Sequence, residues 1–417
     1  MNEWPEVELG DHVDLLAGFA FKSAKFSDSP DEGVRLLRGD NVAQGTLRWG
    51  GAKHWTASEY GDFERYHLAE GDVILAMDRP WIEAGLKYAY VRKSDLPCLL
   101  VQRVSRMRGS PTLDTAFLRY LIGSQAFTGH VQGIITGVNV PHISGRDIKR
   151  FRFMLPPLET QRRIASILGA YDDLIEVNRR RVAVLEEMAR SLFEEWFVRF
   201  RFPGHESVPL VDTPDGLLPQ GWKWTPFSSL GEFMNGFAFK PTHFEDDGLP
   251  IIKIPELKNG VTQKTPCNSG ADVPQKYRVS DGDLLFSWSG TFAISEWTGG
   301  PGLLNQHLFL VRPEAGVERG LLKSALRWAI PLFDNQGVGA TMKHIRRSAL
   351  DHTKIPYPGA GQVLNQANDL FRSSYDLCVN IRRQIQALAA SRDLLLPRLI
   401  SGQLSVGAAE RDLELAA

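Results

Sequence analysis

Leu16-Ala17-Gly18-Phe19-Ala20-Phe21-Lys22 returns in the second half of the chain as Met234-Asn235-Gly236-Phe237-Ala238-Phe239-Lys240. Further pairs follow in the same order: Gly71-Asp72-Val73-Ile74 answers to Gly282-Asp283-Leu284-Leu285, and Leu99-Leu100-Val101-Gln102-Arg103 to Leu303-Leu304-Asn305-Gln306-His307. Near the end of each copy His142-Ile143 matches His344-Ile345, and Pro157 with Gln161 matches Pro358 with Gln362. A kept order with a shortening offset marks a duplicated domain whose loops have gained and lost residues. Two such units imply a pseudo-two-fold repeat, suited to a ligand that itself has two parts.

Composition bounds the class. The chain has 417 residues, 43% hydrophobic and 23% charged, enough for two to four domains that each bury a core. No run approaches the roughly 18 apolar residues of a membrane span, and Met1-Asn2-Glu3-Trp4-Pro5-Glu6 is not a signal peptide, so a cytoplasmic protein without membrane contact is expected. Cys98, Cys267 and Cys378 are odd in number and far apart, which argues against a disulfide framework and a zinc site. The net charge of -1 hides an uneven distribution. Between Cys98 and Phe153 lie Arg103, Arg106, Arg108, Arg119, Arg146, Lys149, Arg150 and Arg152 against only Asp114 and Asp147, and the second copy places Lys343, Arg346, Arg347 and Lys354 where Arg146 to Arg152 fall in the first. A recurring basic cluster is what phosphate neutralisation requires, although such clusters are also ordinary solvated faces.

Each copy begins with short apolar runs that read as strands, such as Val73–Met77 and Leu284–Trp288, followed by helical stretches near Thr115–Phe127 and Leu321–Phe333. Each then ends in a long heptad seam. Ile164, Leu168, Tyr171, Ile175, Asn178, Val182, Leu185, Ala189, Leu192 and Trp196 alternate steps of four and three, predicting a helix from about Glu159 to Phe200, roughly 60 Å long. The second seam carries Phe371, Ser374, Cys378, Ile381, Ile385, Leu388, Arg392, Leu395 and Leu399 and ends at Ser401-Gly402. Two seams of equal length most simply pair with each other, and the short connection favours an antiparallel pair. Asn178, where the second seam has Ile381, is a polar group able to fix register. The alternative is that each helix packs on its own domain.

The junction motifs carry a resemblance. Leu155-Pro156-Pro157-Leu158-Glu159-Thr160-Gln161-Arg162-Arg163-Ile164-Ala165 opens the first helix, Leu218-Pro219-Gln220-Gly221-Trp222 opens the second copy, and Leu394-Leu395-Leu396-Pro397-Arg398-Leu399-Ile400-Ser401-Gly402 closes the second helix. In order and duplication they resemble the specificity subunit of type I restriction-modification systems over nearly the whole chain. The second copy departs from the pattern with Tyr357-Pro358-Gly359-Ala360-Gly361-Gln362. The resemblance implies an α+β multidomain chain with two mixed α/β target recognition domains in tandem, each followed by a long helix, the helices pairing as an antiparallel coiled-coil spacer. The expected boundaries are recognition domain 1 at 1–155, spacer helix 1 at 156–201, a linker at 202–218, recognition domain 2 at 219–357, spacer helix 2 at 358–405 and a C-terminal tail at 406–417. It further implies that the domains read the two halves of an asymmetric double-stranded DNA target. The implied partners are methyltransferase (modification) subunits and a helicase-nuclease (restriction) subunit, and those partners carry the S-adenosylmethionine, ATP and magnesium. This chain holds no cofactor and no metal in that reading, and it is not an enzyme.

The residues themselves carry little chemistry. No Asn or Asp precedes the Pro-Pro pair as adenine methylation needs, and no Walker loop is present. Asp215 with Glu256-Leu257-Lys258 is nuclease-like and supports the alternative of a stand-alone DNA endonuclease. Exposed aromatic residues at Phe193, Trp196, Phe197 and Phe200 would support a second alternative, a protein-only repeat adaptor. For DNA binding, positions shared by the copies are expected to grip the backbone: Lys22 and Lys240, Arg103 and His307, His142 and His344. Arg146, Lys343, Arg346 and Arg347 belong to the basic cluster. Positions that differ, Arg35, Arg38, Asn41, Arg79, Lys253, Lys258 and Lys264, are the candidates for base reading.

Overall fold

The computed structural model describes residues 4–29, 31, 33–134, 141–290, 292–336 and 347–416. It divides into two units, one formed by Met1–Asp173 with Ala389–Ala417 and the other by Leu174–Leu388. No described helix is long and apolar enough to cross a membrane.

In the first unit a four-stranded antiparallel sheet runs in the order Val13–Ala17, Val104–Gly109, Val73–Ala76, Tyr88–Tyr90. The apolar run Val73–Ala76 does not alternate with polar residues because both its faces are covered. Val73 and Leu75 join Phe117, Leu118 and Phe127, while Ile74 and Ala76 join Leu37, Leu100 and Val104. A smaller sheet sets His54–Thr56 beside Gly33–Leu37, which pairs in parallel with Cys98–Leu100. The helical stretch expected near Thr115–Phe127 is two helices, Thr115–Ile122 and Gln125–Ile134. Asp114 caps the first by accepting from the Ala116 and Phe117 amides, and the Ser124 hydroxyl accepts from the Phe127 amide at the start of the second.

The second unit has the same sheet order built from other residues. Gly231–Asn235, Leu308–Pro313, Leu284–Ser287 and Ile294–Glu296 form its four-stranded antiparallel sheet, and Leu249–Ile252 pairs in parallel with Gly302–Leu304. Its core is more aromatic, with Phe227, Phe286, Phe309, Phe333 and Phe371 fully buried. The helix corresponding to the broken pair is continuous here, Arg319–Gln336.

The repeated motifs have structural roles. Asp72 accepts from the Ala69 amide at 2.8 Å and Asp283 from the Ser280 amide at 2.8 Å, so each Gly-Asp pair closes the turn that feeds the third strand of the sheet. The pairing of Gln161 with Gln362 needs correction. Gln161, fully buried, accepts from the Asp114 amide at 2.8 Å and donates to the Thr112 carbonyl at 3.0 Å. In the second unit the same two contacts are made by Asn368, which accepts from the Glu318 amide at 3.3 Å and donates to the Gly316 carbonyl at 2.7 Å, whereas Gln362 is exposed. A primary amide can satisfy both groups wherever the chain delivers it, so the amide moved along the helix while its bonds stayed.

The long helices run Leu158–Phe193, continued by a wider π-type turn at Glu194–Val198, and Gln362–Ile400. In the first unit Ile164, Leu168 and Tyr171 pack with Leu395 and Leu399. In the second, Ile175 and Asn178 are buried, Val182 and Leu185 cluster with Cys378, Ile381 and Ile385, and half-buried Leu192 borders the core that contains Trp196 and Phe371. Leu388 is half-buried. The Asn178 carboxamide oxygen accepts from Arg181 at 3.4 Å. Phe193, Trp196 and Phe197 lie in the core of the second unit and half-buried Phe200 packs against it, which removes the exposed aromatic surface that an adaptor reading requires. The C-terminal tail is helical over Val406–Ala416, with Val406 and Ala409 in the first unit's core and Glu410 paired to Arg163 at 2.5 Å. Burial pushes the Cys98 thiol up to about 12 and the Cys378 thiol up to about 11, as expected of inert core cysteines.

Each unit ties its sheet-packed helix to the long helices through charge. In the first, Asp172 accepts from Arg119, from the Tyr120 hydroxyl at 2.8 Å and from Arg392 at 2.6 Å. In the second, Lys323 lies 2.7 Å from Glu296 and 2.9 Å from Glu186, and Glu186 also meets Arg382 at 2.8 Å and Arg327 at 3.2 Å.

Candidate nucleic-acid interface

The repeated Gly-Phe-Ala-Phe-Lys segment leaves the first strand of each four-stranded sheet and lies against the turn that enters the second. In the first unit the Phe19 amide donates to the Leu100 carbonyl at 3.0 Å and the Gln102 amide to the Phe19 carbonyl at 2.8 Å. Any Cβ on Gly18 would stand 2.1 Å from the Val101 carbonyl oxygen, so glycine is required for this approach. The second unit repeats the arrangement: Phe237 donates to Leu304 at 2.8 Å, Gln306 to Phe237 at 2.9 Å, and a Cβ on Gly236 would meet the Asn305 carbonyl oxygen at 2.4 Å. Lys22 and Lys240, which end the segment, are exposed, as are Arg103 and His307 in the turn that it lies against.

In the first unit two further strands of chain join this edge. The Met77 amide donates to the Arg103 carbonyl at 2.8 Å, the Ile143 amide to Met77 at 2.9 Å, and the Arg79 amide to Pro141 at 2.7 Å. Asp78, a residue that no motif singled out, is the hub: its Oδ1 is 2.6 Å from His142 Nδ1 and 3.4 Å from Arg103 Nη1. Arg79, Arg103 and His142 are therefore gathered at one end of the sheet, although sequence separates them widely. In the second unit half-buried Trp288 lies beside the matching turn, and the residues that match His142 lie outside the described ones. Trp288 donates through its indole to the Gln306 carbonyl at 3.0 Å, and its ring lies 5.9 Å from that of His307.

Other candidates are elsewhere or otherwise engaged. Asn41 is buried; it accepts from the Arg38 amide and donates to the Arg48 carbonyl at 2.9 Å, so it closes a turn and cannot reach a base. Arg35 donates to the Ser94 and Leu96 carbonyls at 3.0 and 3.1 Å and lies 4.7 Å over the Trp49 ring, so its guanidinium is committed within the domain. Arg38 faces Asp40 at 3.5 Å and the Phe26 ring at 5.9 Å. Lys253 sits 4.6 Å over Phe244, while Lys258 and Lys264 are exposed. Lys343, His344 and Arg346 lie outside the described residues; Arg347 begins the Arg347–His352 helix and is exposed.

The basic stretch of the first unit also needs correction, because it is not one face. Arg103 pairs with Asp78, Arg106 with Asp14, Arg108 with Asp72, Arg119 with Asp172 and Arg152 with Glu6, so five of its eight cations are neutralised within the unit. Arg146, Lys149 and Arg150 remain exposed beside Glu8 and Asp11. The nuclease-like residues are likewise engaged: Asp215 meets Lys354 at 2.6 Å, and Glu256 is buried, accepting from the Lys253 amide at 3.1 Å and the Thr265 hydroxyl at 3.2 Å. No group of three or more His, Cys, Asp or Glu side chains is placed to hold a metal ion among the described residues.

Comparison with known proteins agrees with this duplicated architecture. The type I restriction modification DNA specificity domain matches residues 1–187 and again 219–386. The EcoAI specificity subunit of Escherichia coli is 39% identical over 175 residues, covering 42% of this chain and 28% of that subunit. The MjaVIII specificity subunit of Methanocaldococcus jannaschii is 30% identical over 46% of this chain and 44% of its own length, so both matches span less than half of the relative. The MjaIX subunit of the same organism is 22% identical over 86% of this chain and 88% of its own. In fold, the crystal structure of the type I restriction-modification system S subunit from M. genitalium superposes with a TM-score of 0.54 at 14% identity, covering 95% of this chain and 96% of that one. The chain belongs to the type I restriction-modification DNA specificity family.

Proposed function

We propose that this chain is the non-catalytic, sequence-reading subunit of a type I restriction-modification complex. Two recognition domains, residues 1–155 and 219–357, each read one half of a split, asymmetric DNA target. The observation that carries the reading is a backbone approach built twice beside different side chains: Phe19 bonds Leu100 and Gln102 next to Arg103 in one unit, Phe237 bonds Leu304 and Gln306 next to His307 in the other, with Arg79 and His142 added in the first and Trp288 in the second. A shared backbone suits a shared duplex, and unlike side chains suit unlike half-sites. The long helices, residues 156–201 and 358–405, serve as an antiparallel coiled-coil spacer under pseudo-two-fold symmetry, joined by the 202–218 linker. In support, the start of the first helix packs with the end of the second in one unit, while Val182 and Leu185 meet Cys378, Ile381 and Ile385 in the other. Methylation and cleavage then belong to methyltransferase and helicase-nuclease subunits, which carry the S-adenosylmethionine, ATP and magnesium, and the assembly works in the cytoplasm.

The test is a domain exchange. Residues 219–357 are replaced by the equivalent region of a relative, the chain is co-expressed with its methyltransferase subunits, and the methylated motif is read from the host genome. One half of the motif is expected to change while the other stays, because base contacts in separate domains contribute independently. A coordinated change in both halves, or methylation with no sequence preference, would overturn the proposal.

A further inference from the structure

Aligning Gly71-Asp72 with Gly282-Asp283 places Arg79 opposite Gly290, in the turn that leaves the third strand of each four-stranded sheet. Both residues are left-handed, with φ of +45° at Arg79 and +70° at Gly290. Glycine takes this conformation freely, whereas an L-residue adopts it only under strain. Among the described residues only Arg79, Arg103 and Phe200 combine a side chain with positive φ, and the first two share this cluster. The surrounding chain holds the strained turn: Arg79 donates its amide to Pro141 at 2.7 Å, and Met77 on its other side bonds both Arg103 and Ile143. Asp78 meanwhile takes up Arg103 and His142. The Arg79 side chain is exposed, and no hydrogen bond or ion pair engages its guanidinium among the described residues. Strain kept at a residue whose side chain does nothing for the fold marks a functional position.

We infer that Arg79 is a specificity-determining residue of the first domain, its guanidinium reading a guanine through the O6 and N7 edge of the major groove, while Asp78 positions the Arg103 and His142 side chains around it. This rests on the proposed function and adds one reader that the second domain, with Gly290, lacks. A planar two-donor fork matches guanine's two acceptors, and such a bidentate contact discriminates by about 1–3 kcal/mol.

The experiment uses the full chain and two variants, Arg79→Gly and Arg79→Lys, each incubated with a pool of random-sequence duplexes that is sequenced after capture. Affinity for the best-captured duplex is then measured beside affinity for an unrelated one, and thermal melting is recorded. Arg79→Gly should melt at or above the wild-type temperature, since it installs the residue the second unit already uses. It should lose roughly tenfold to a hundredfold in affinity for the selected duplex, with little change on the unrelated one, and its motif should lose one guanine from one half only. Arg79→Lys should fail to restore that guanine, because an ammonium lacks the fork. An unchanged motif, an equal loss on both duplexes, a lost base other than guanine, or a markedly lower melting temperature in Arg79→Gly each overturns the inference. If wild-type chain selects no motif at all, the proposed function itself fails rather than the role of Arg79.

Discussion

Lys323→Met removes a cation shared by two carboxylates in the second unit. Its ammonium lies 2.7 Å from Glu296 and 2.9 Å from Glu186, and the Glu296 side chain is 0% exposed. Without the lysine, the remaining cation near Glu296 among the described residues is Arg382, whose Nε is 3.7 Å away, too far for a direct hydrogen bond. The variant therefore leaves a carboxylate sealed from water and poorly compensated, which costs about 3–5 kcal/mol. For a unit of roughly two hundred residues each kcal/mol lowers Tm by about 2–4 °C, so the transition of the second unit should fall by roughly 6–20 °C. Differential scanning calorimetry of the full chain reads this directly. The companion variant, Lys323→Met with Glu296→Leu, removes both buried charges and should recover much of the loss, because the desolvation penalties leave together. A single variant melting within about 2 °C of the wild type, or a double variant less stable than the single one, would refute the view that this cluster fastens the Arg319–Gln336 helix to the long helices.

Acid should weaken the same cluster. Burial pushes the Glu186 carboxyl up, but Lys323, Arg327 and Arg382 outweigh it and hold the group at about 2, below its ordinary 4.5. A depressed pKa contributes stability that is complete above about pH 4.5 and is lost as pH falls toward about 2, up to about 3 kcal/mol here. Urea midpoints measured at falling pH should therefore drop faster in wild type than in Glu186→Gln; parallel curves would remove the assignment. Gly18→Ala forces a Cβ to within 2.1 Å of the Val101 carbonyl oxygen, so a loss of about 1–3 kcal/mol is expected, together with weaker DNA binding as the Lys22 segment is displaced; a variant as stable as wild type would contradict the close approach. Arg146, Lys149 and Arg150 changed together to Glu should weaken binding to all duplexes alike and flatten its salt dependence, and an unchanged salt slope would make them a solvated face. Adding one heptad to each long helix near Val182 and Ile385 lengthens the proposed spacer by about 10 Å, so under that proposal the gap between half-sites should grow by up to about three base pairs. Full activity only on the original spacing would show that the helices do not set the distance.

The duplication, the strand runs and both seams were legible in the linear sequence because each is a local pattern. Burial on one face of a helix repeats every three to four residues, and a doubly covered strand is apolar throughout, so Ile164 to Trp196 and Val73 to Ala76 declare themselves without any partner being known. The Gly-Phe-Ala-Phe-Lys repeat was also visible, since a backbone approach that forbids Cβ preserves glycine in both copies.

What only the tertiary structure decided is where charge and polarity are spent. Arg106 finds Asp14, Arg119 finds Asp172, and Asp78 gathers Arg103 and His142, each across a long stretch of chain. Asn41, of a residue type suited to base reading, closes a turn, and Asn368 takes the place that sequence alignment assigns to Gln362. A hydrogen bond or ion pair depends on two groups meeting within a few ångströms, and that distance follows from the packing of whole elements rather than from any spacing along the chain. Periodicity reports how one element meets its surroundings on average; the identity of the partner is settled only when the elements are together.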